Sequence, residues 1–253
     1  MSARTVAGAG GAASTLIQVA MDLEAQPFFE NGSAPQFTKG PGKTKVYELT
    51  EKGILLAVSG IGLVNAALCT AWVAHHYRLA RVISAGTCGG LAATVHVRDV
   101  IVGETYAFAD ANATAFGYVP GQIPGEVTAF AGAPAFLRQV AANFEDAAPG
   151  KDERENDAHR PLEMKFGQVL SGNSFVAGEQ TAIVRERFPG ALSVDMESTA
   201  IAMVCAALEL PFVSVRGVSD LCGPVAGQDF HIDAEEAAAL SAAAVTRLLS
   251  HLQ

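Results

Sequence analysis

Apolar and polar positions along this chain alternate between short strand-like runs and longer stretches with helical spacing. Strands are predicted at Leu16–Ala20, Lys45–Leu49, Ile54–Ser59, Arg81–Ser84, Asp99–Ala107, Met164–Leu170, Leu192–Val194 and Phe212–Val215. Helices are predicted at Asp22–Phe29, Val64–Tyr77, Phe136–Phe144 and Ser198–Leu208, with a last one from about Ala234 to Leu252. This alternation predicts an α/β fold whose central mixed, largely parallel sheet is covered by helices on both faces.

The chain is expected to form one domain over residues 15–253, because no internal repeat or linker interrupts the pattern. Residues 1–14 are rich in alanine and glycine but lack a strong hydrophobic segment, so a disordered tail is predicted rather than a signal peptide. Asp146–Arg160 is highly charged and is expected to be a solvated surface loop, since strands resume after it.

The composition and net charge of the chain exclude several classes of partner. Of 253 residues, 50% are hydrophobic and 17% are charged, which favours a sizeable core. The net charge of -9 argues against nucleic-acid or anionic-membrane partners. The cysteines at 69, 88, 205 and 222 lack zinc-ligand spacing, so we expect neither a metal nor a cofactor. With no apolar run of membrane-span length, the default expectation is a cytoplasmic protein.

Charged side chains follow two of the predicted strands. Glu197 follows the strand that ends at Val194, and Arg216 and Asp220 follow the strand that ends at Val215. Each residue also has an ordinary structural explanation when taken alone. Glu197 suits the first turn of a helix, Arg216 could be a buried arginine with an acidic partner, and Asp220 suits a turn. Because ligands of open α/β sheets bind beyond the carboxyl ends of strands, the set together favours a site acting on a sugar C–N or C–O bond.

Two glycine-rich runs also follow strands, at Gly60–Gly62 and Gly86–Gly90. Neither run has a basic residue nearby, so a neutral ligand such as a sugar or a base suits them better than phosphate. Tight turns for packing explain the glycines equally well, and the pattern leaves both readings open. Glu24 is a further acidic candidate, although its position also suits the first turn of a helix.

Several blocks, in this order, resemble the 5'-methylthioadenosine/S-adenosylhomocysteine nucleosidases. They are Ser59–Gly62, Asn65–Ala67, Gly86–Leu91, Asp110–Gly125, Gly172–Val176, Val194–Ala200 and Val215–Asp220. The resemblance spans about Leu16 to Leu252. It implies the three-layer α/β/α fold of nucleoside phosphorylases, a homodimer, and an N-ribosyl hydrolase. The implied reaction cleaves the adenine–ribose bond of 5'-methylthioadenosine, S-adenosylhomocysteine or related 5'-deoxyadenosines.

The resemblance also implies roles for the acidic and basic residues. Glu24 matches the acid that orients and activates the attacking water, and Glu197 matches the acid that binds the ribose hydroxyls. Arg216 resembles the residue that holds Glu197 and the water region. Asp220, steadied by Ser219, matches the general acid at adenine N7, so we expect it to carry a proton when it acts.

The resemblance further implies binding residues for each part of the nucleoside. Phe175 resembles the residue that stacks on the purine, and Val176 the residue whose backbone contacts the adenine edge. Met196 matches a residue under the sugar, and Thr87 and Gly89 lie on the loop beside the ribose and the attacking water. Ile61 and Phe230 match apolar contacts to the 5' substituent, and Met21 is a further substrate-binding candidate. Phe116, Tyr118 and Pro124 resemble residues that complete the 5' pocket of the neighbouring subunit. Thr87, where serine is more usual, and Cys88, where alanine is common, depart from the pattern and leave the 5' specificity open.

Two other functions remain open on the sequence. A phosphate-dependent nucleoside phosphorylase of the same fold is disfavoured because the glycine loops lack basic residues. A non-catalytic nucleoside-binding relative is disfavoured because Glu24, Glu197 and Asp220 are all present.

Overall fold

The computed structural model describes residues 13–29, 32–50, 53–145, 163–223 and 232–250. The strands are β1 (Ser14–Val19), β2 (Phe37–Lys39), β3 (Lys45–Thr50), β4 (Ile54–Val58), β5 (Leu79–Gly90), β6 (Val100–Phe108), β7 (Phe130–Ala131), β8 (Met164–Ser171), β9 (Ala191–Asp195) and β10 (Phe212–Asp220). The helices are α1 (Asp22–Ala25), α2 (Leu63–His76), α3 (Pro134–Glu145), α4 (Glu179–Arg187), α5 (Ser198–Ala207) and α6 (Ala234–Ser250). The predicted loop Asp146–Arg160, the tail through residue 12 and Phe230 lie outside the described residues.

Most predicted elements are present with ends shifted by a few residues, and two strands are much longer than predicted. β5 continues through the glycine-rich run to Gly90, and β10 continues to Asp220. The sequence pattern missed β2, β7 and α4. β1 begins at Ser14, one residue before the predicted start of the domain. α1 spans four residues and passes into a 3₁₀ turn at Gln26–Phe28, so the predicted helix Asp22–Phe29 is one short α turn plus that 3₁₀ turn.

All ten strands join one mixed sheet in the order β10-β6-β8-β9-β5-β1-β4-β3-β2, with β7 paired to β6. β10 also pairs in parallel with β5, so these two strands close a ring with β6, β8 and β9. β1 runs parallel to both β4 and β5. The carboxyl ends of β1, β5 and β10 therefore meet at one edge of the sheet, which is where α/β folds hold their ligands.

Helices cover both faces of the sheet. On one face α2 packs against α5, and buried side chains such as Cys69 and Ile201 belong to that core. On the other face α6 packs on β10 and β5, with Val245 and Leu248 buried against Ile83. This arrangement confirms the predicted α/β class with helices on both sides of a mixed sheet. Among the described residues, no helix is both long enough and apolar enough to cross a membrane.

Glycines in the two long strands let neighbouring elements come close. A Cβ on Gly90 would lie 2.8 Å from side-chain atoms of both Val95 and Leu221. A Cβ on Gly217 would lie 2.9 Å from the carbonyl carbon of Ala237, so α6 rests directly on the backbone of β10. These glycines are extended strand residues that leave space for packing, which is why the run was misread as a loop.

Candidate active site

A cavity of about 210 Å³ opens at the carboxyl ends of β1, β5, β9 and β10. Glu24, Glu197 and Asp220 all line it, although they are far apart in sequence. The remaining lining residues are Ala20, Met21, Ile61, Thr87, Cys88, Gly89, Ser174, Phe175, Val176, Val194, Asp195, Met196, Ser219 and Cys222. None of these lining residues carries a positively charged side chain.

Glu24 is almost completely buried, and its carboxylate is held by four donors. Oε2 accepts hydrogen bonds from the backbone N–H groups of Ala20 and Met21, at 2.9 and 3.1 Å. Oε1 accepts from the backbone N–H and the side-chain hydroxyl of Thr87, at 2.9 and 3.1 Å. These four hydrogen bonds fix the position and orientation of the Glu24 carboxyl group at the cavity wall.

Glu197 immediately precedes α5, and the glycine loop Gly60–Gly62 holds its carboxylate. Its Oε1 accepts a hydrogen bond from the backbone N–H of Gly62 at 3.0 Å. Oε2 lies 3.5 Å from Nη1 of Arg216. Burial raises the pKa of Glu197 to about 7, while the Arg216 cation opposes that rise and the Asp195 charge adds to it. The carboxyl group therefore titrates near neutral pH.

Arg216 is buried beneath the cavity and does not line it. Its Nε lies 3.2 Å from Oδ2 of Asp195. Its Nη2 donates to the hydroxyl of Ser84 at 2.6 Å, and its Nη1 donates to the carbonyl of Thr87 at 3.3 Å. Burial alone would lower the pKa of Arg216, but Asp195, Glu197 and Glu24 outweigh it and raise the pKa. A buried arginine needs such partners, as the sequence predicted.

Asp195 is a structural residue that the sequence analysis did not assign to the site. Its Oδ1 accepts from the hydroxyl of Ser171 at 2.5 Å and from the backbone N–H groups of Glu197 and Ser198, both at 3.0 Å. Its Oδ2 accepts from the Ser198 hydroxyl and faces Arg216. Asp195 thus fixes the turn that presents Glu197. Its place at the end of a strand was the only available signal.

Asp220 is the last residue of β10, is half-buried and lines the cavity. Oδ2 accepts a hydrogen bond from the hydroxyl of Ser219 at 2.9 Å, and Oδ1 accepts from the backbone N–H of Cys222 at 2.9 Å. The Ser219 hydroxyl also lies 3.3 Å from the carbonyl oxygen of Cys88. These contacts orient the carboxyl group of Asp220 toward the cavity that it lines.

The cavity wall also has an apolar part. Phe175 is 62% exposed and Ile61 is 48% exposed, whereas Val176 is buried. Such exposure of large apolar side chains at a cavity mouth is typical of a ligand site. Two cysteines line the same wall, and burial raises the pKa of Cys222 to about 12 and that of Cys88 further. Both therefore remain thiols at neutral pH and are not nucleophiles.

Most predicted site residues lie at this one cavity, and a few do not. Phe116 and Pro124 are exposed, Tyr118 is half-buried, and none of these three lines the cavity. Arg216 supports the cavity from below, and Phe230 is outside the described residues. The lining residues Ala20, Ser174 and Val194 were not predicted, because nothing in the sequence marks them as site residues.

Comparison with known proteins identifies the class of this fold and site. A model of the phosphorylase superfamily matches residues 14–252. A 5'-methylthioadenosine/S-adenosylhomocysteine nucleosidase of Staphylococcus aureus strain JH9 is 35% identical over 205 residues, which are 81% of this chain and 84% of the relative.

Solved structures of nucleosidases share the whole architecture. That of the Neisseria meningitidis 5'-methylthioadenosine/S-adenosylhomocysteine nucleosidase, in complex with methylthio-immucillin-A, has a TM-score of 0.80 and 31% identity over 95% of this chain and 100% of its own. That of the Colwellia psychrerythraea 34H enzyme, in complex with adenine, has a TM-score of 0.81 and 28% identity over 95% of this chain and 96% of its own.

The chain belongs to the phosphorylase superfamily and, within it, to the 5'-methylthioadenosine/S-adenosylhomocysteine nucleosidases. It is therefore an enzyme of the purine nucleosidase class, which hydrolyses N-glycosyl bonds.

Proposed function

We propose that this enzyme hydrolyses the adenine–ribose bond of 5'-thio-substituted adenosines, namely 5'-methylthioadenosine and S-adenosylhomocysteine. The observation that carries this proposal is the convergence of Glu24, Glu197 and Asp220 on one cavity. The names and bound ligands of the related nucleosidases support the substrate class.

The reaction needs an acid at the leaving base, because an adenine anion is a poor leaving group. In the proposed mechanism Asp220 carries a proton and donates it to N7 of adenine as the glycosidic bond breaks. Ser219 orients the carboxyl group through its 2.9 Å hydrogen bond. Phe175 stacks on the purine, and the backbone of the neighbouring Val176 contacts the edge of the base.

Bond cleavage leaves positive charge on the ribose ring, which a nearby carboxylate stabilises. Glu197 accepts hydrogen bonds from the ribose hydroxyls in its ionised form, and Met196 packs under the sugar. Arg216 lowers the pKa of Glu197 against the effect of burial and so increases its ionised fraction. This carboxylate favours the transition state over the neutral substrate, because the sugar becomes charged only there.

Glu24 holds the attacking water and accepts its proton as the water adds to C1' of the ribose. Its four hydrogen-bond donors fix the carboxylate before substrate arrives. Water and base are on opposite faces of the sugar, so the reaction inverts the configuration at C1'. The products are adenine and the free 5'-substituted ribose.

Phosphorolysis in the same fold is the alternative activity, and it is disfavoured because no described residue that lines the cavity carries a basic side chain. Adenine release is measured by HPLC in phosphate-free buffer made with ¹⁸O-labelled water, with and without added phosphate. We expect equal rates and one ¹⁸O atom in the ribose product. Strict dependence on phosphate, with a ribose 1-phosphate product, would overturn the proposal.

The same HPLC assay ranks substrates. It compares 5'-methylthioadenosine, S-adenosylhomocysteine, 5'-deoxyadenosine and an aminofutalosine-type nucleoside. A non-catalytic binding protein would release no adenine from any of the four. The proposal expects release from the two thio-substituted nucleosides.

We also propose that the functional unit is a homodimer, in which Phe116, Tyr118 and Pro124 complete the 5' pocket of the partner subunit. Their position away from the cavity of their own chain supports this arrangement. Size-exclusion chromatography with light scattering tests it, and a monomer at assay concentrations would contradict it.

A further inference from the structure

A second groove, of about 520 Å³, adjoins the active-site cavity. Ala20, Met21 and Ile61 line both, so the two spaces share one wall. The other residues that line the groove are Asp22, Phe37, Lys39, Gly42, Lys43, Thr44, Lys45, Val58 and Gly60. The groove therefore begins beside Ile61, the residue that the resemblance implies to contact the 5' substituent.

The groove concentrates positive charge in an acidic protein. Three of the six lysines in the chain, Lys39, Lys43 and Lys45, lie within seven residues and line it, although the net charge of the chain is -9. Lys45 is neutralised by Asp22, whose two carboxylate oxygens lie 2.7 and 2.8 Å from its Nζ. Within the described part of the chain, Lys39 and Lys43 have no ion-pair partner.

The stem of Lys43 lies against the loop that builds the active site. A Cβ on Gly60, whose φ is +84°, would lie 2.9 Å from Cδ of Lys43 and 3.2 Å from its Cβ. The same loop contains Ile61 at the shared wall and Gly62, whose backbone N–H holds Glu197. The stem of Lys43 therefore packs on this loop, and both Lys43 and Gly60 line the groove.

We propose that this groove is a subsite for the carboxylate of an extended 5' substituent, such as the amino-acid end of S-adenosylhomocysteine. The inference rests on the proposed function and on the resemblance to the nucleosidases, which implies that Ile61 contacts the 5' substituent of the nucleoside. The sulfur-linked chain crosses this apolar wall, and its carboxylate then meets the ammonium groups of Lys39 and Lys43. The methyl group of 5'-methylthioadenosine is too short to reach them.

The groove therefore favours S-adenosylhomocysteine over 5'-methylthioadenosine by strengthening its binding. It does not change the rate of the chemical step. Ion pairs with exposed lysines contribute about 0.2–1 kcal/mol each, so two of them change the affinity about two- to thirtyfold. The effect is confined to substrates that carry a carboxylate. It weakens with salt, because exposed charges are screened.

The test compares two double variants with matched stems. Lys39→Met with Lys43→Met removes both charges and keeps the length of the side chains, whereas Lys39→Arg with Lys43→Arg keeps the charges. We expect the methionine variant to raise KM for S-adenosylhomocysteine by about two- to thirtyfold. The kcat of the methionine variant for S-adenosylhomocysteine stays within twofold of wild type. Its kcat and KM for 5'-methylthioadenosine also stay within twofold. The arginine variant keeps the wild-type preference.

Equal KM changes for the two nucleosides, or no change for S-adenosylhomocysteine, would overturn the subsite. A calorimetric binding measurement in an Asp220→Asn background, with and without the methionine substitutions, separates this result from failure of the proposed function. An enzyme that releases no adenine refutes the hydrolase proposal. The subsite is then still decided by the ratio of the dissociation constants for S-adenosylhomocysteine with and without the methionine substitutions. An unchanged ratio, at both 20 mM and 500 mM salt, rejects it.

Discussion

The carboxylate of Glu24 occupies the space in which a side chain on Gly86 would begin. A Cβ on Gly86 would lie 2.6 Å from Cδ of Glu24, and the φ of Gly86 is +130°. Both facts require glycine at this position of β5. The glycine-rich run therefore serves the site by admitting the carboxylate of another element, next to the Thr87 donors that hold it.

Replacing Gly86 by alanine is expected to displace Glu24 and reduce kcat by ~10²–10⁴, the usual contribution of a general base. Steady-state kinetics on 5'-methylthioadenosine measure the loss. Gly190→Ala is the matched control, because a Cβ there meets nothing within 4 Å, and it should leave kcat unchanged. Full activity of the Gly86 variant would show that the position of Glu24 does not limit turnover.

Stability should depend on pH through Glu197. Burial raises its pKa to about 7 from the ordinary 4.5, so the folded protein binds a proton that the unfolded chain has lost between these values. This group therefore favours folding below pH 4.5, and its contribution falls as pH rises toward 7, by about 3 kcal/mol in all. Most carboxylates in a folded protein instead stabilise it more as pH rises. The contribution of Glu197 must therefore be measured as the difference in stability between the wild type and a variant that lacks this carboxyl group.

Urea unfolding of the wild type and of Glu197→Gln at pH 5, 6, 7 and 8 isolates that contribution. The wild type should lose stability relative to the glutamine variant between pH 5 and 7, and the difference should then level off. A difference that stays flat, or that favours the wild type as pH rises, would contradict the raised pKa of Glu197.

Removing the buried Arg216 cation should lower the free energy of unfolding. Arg216→Met leaves the carboxyl groups of Asp195 and Glu197 without their counterion, and we expect a loss of about 3–5 kcal/mol in the free energy of unfolding at pH 7.5. The pKa of Glu197 should rise further, because Arg216 lowers it. Ser84→Ala removes only one hydrogen bond to the arginine and should cost about 1 kcal/mol. Equal losses in the two variants would argue against the ion-pair account.

The sequence predicted the α/β class because strand and helix periods alternate clearly along the chain. It placed Glu197 and Asp220 near strand ends, and both do line the cavity. It could not predict that β5 continues to Gly90, because the close approach of Val95 and Leu221 that requires glycine there is a tertiary contact. For the same reason it did not assign Asp195 to the site, since its partners Ser171 and Arg216 come from other strands.

Helix α4 was missed because of its composition. Glu179–Arg187 is mostly polar and has no clear apolar stripe, with only Thr181 and Val184 buried. The lysine groove was also not anticipated. Lys43 and Gly60 are seventeen positions apart, and only the pairing of β3 with β4 brings their neighbourhoods together.

The proposed hydrolysis depends most on Asp220, which acts as the general acid that protonates the leaving adenine. A substrate whose leaving group needs no proton separates this role from general binding. The measurement compares adenine release from 5'-methylthioadenosine with nitrophenolate release from 4-nitrophenyl 5-methylthio-β-ribofuranoside, in wild type and in Asp220→Asn. We expect the variant to lose ~10²–10⁴ in kcat on the adenine nucleoside and to stay within about tenfold of wild type on the nitrophenyl substrate. Equal loss on both substrates, or no loss on either, would contradict it.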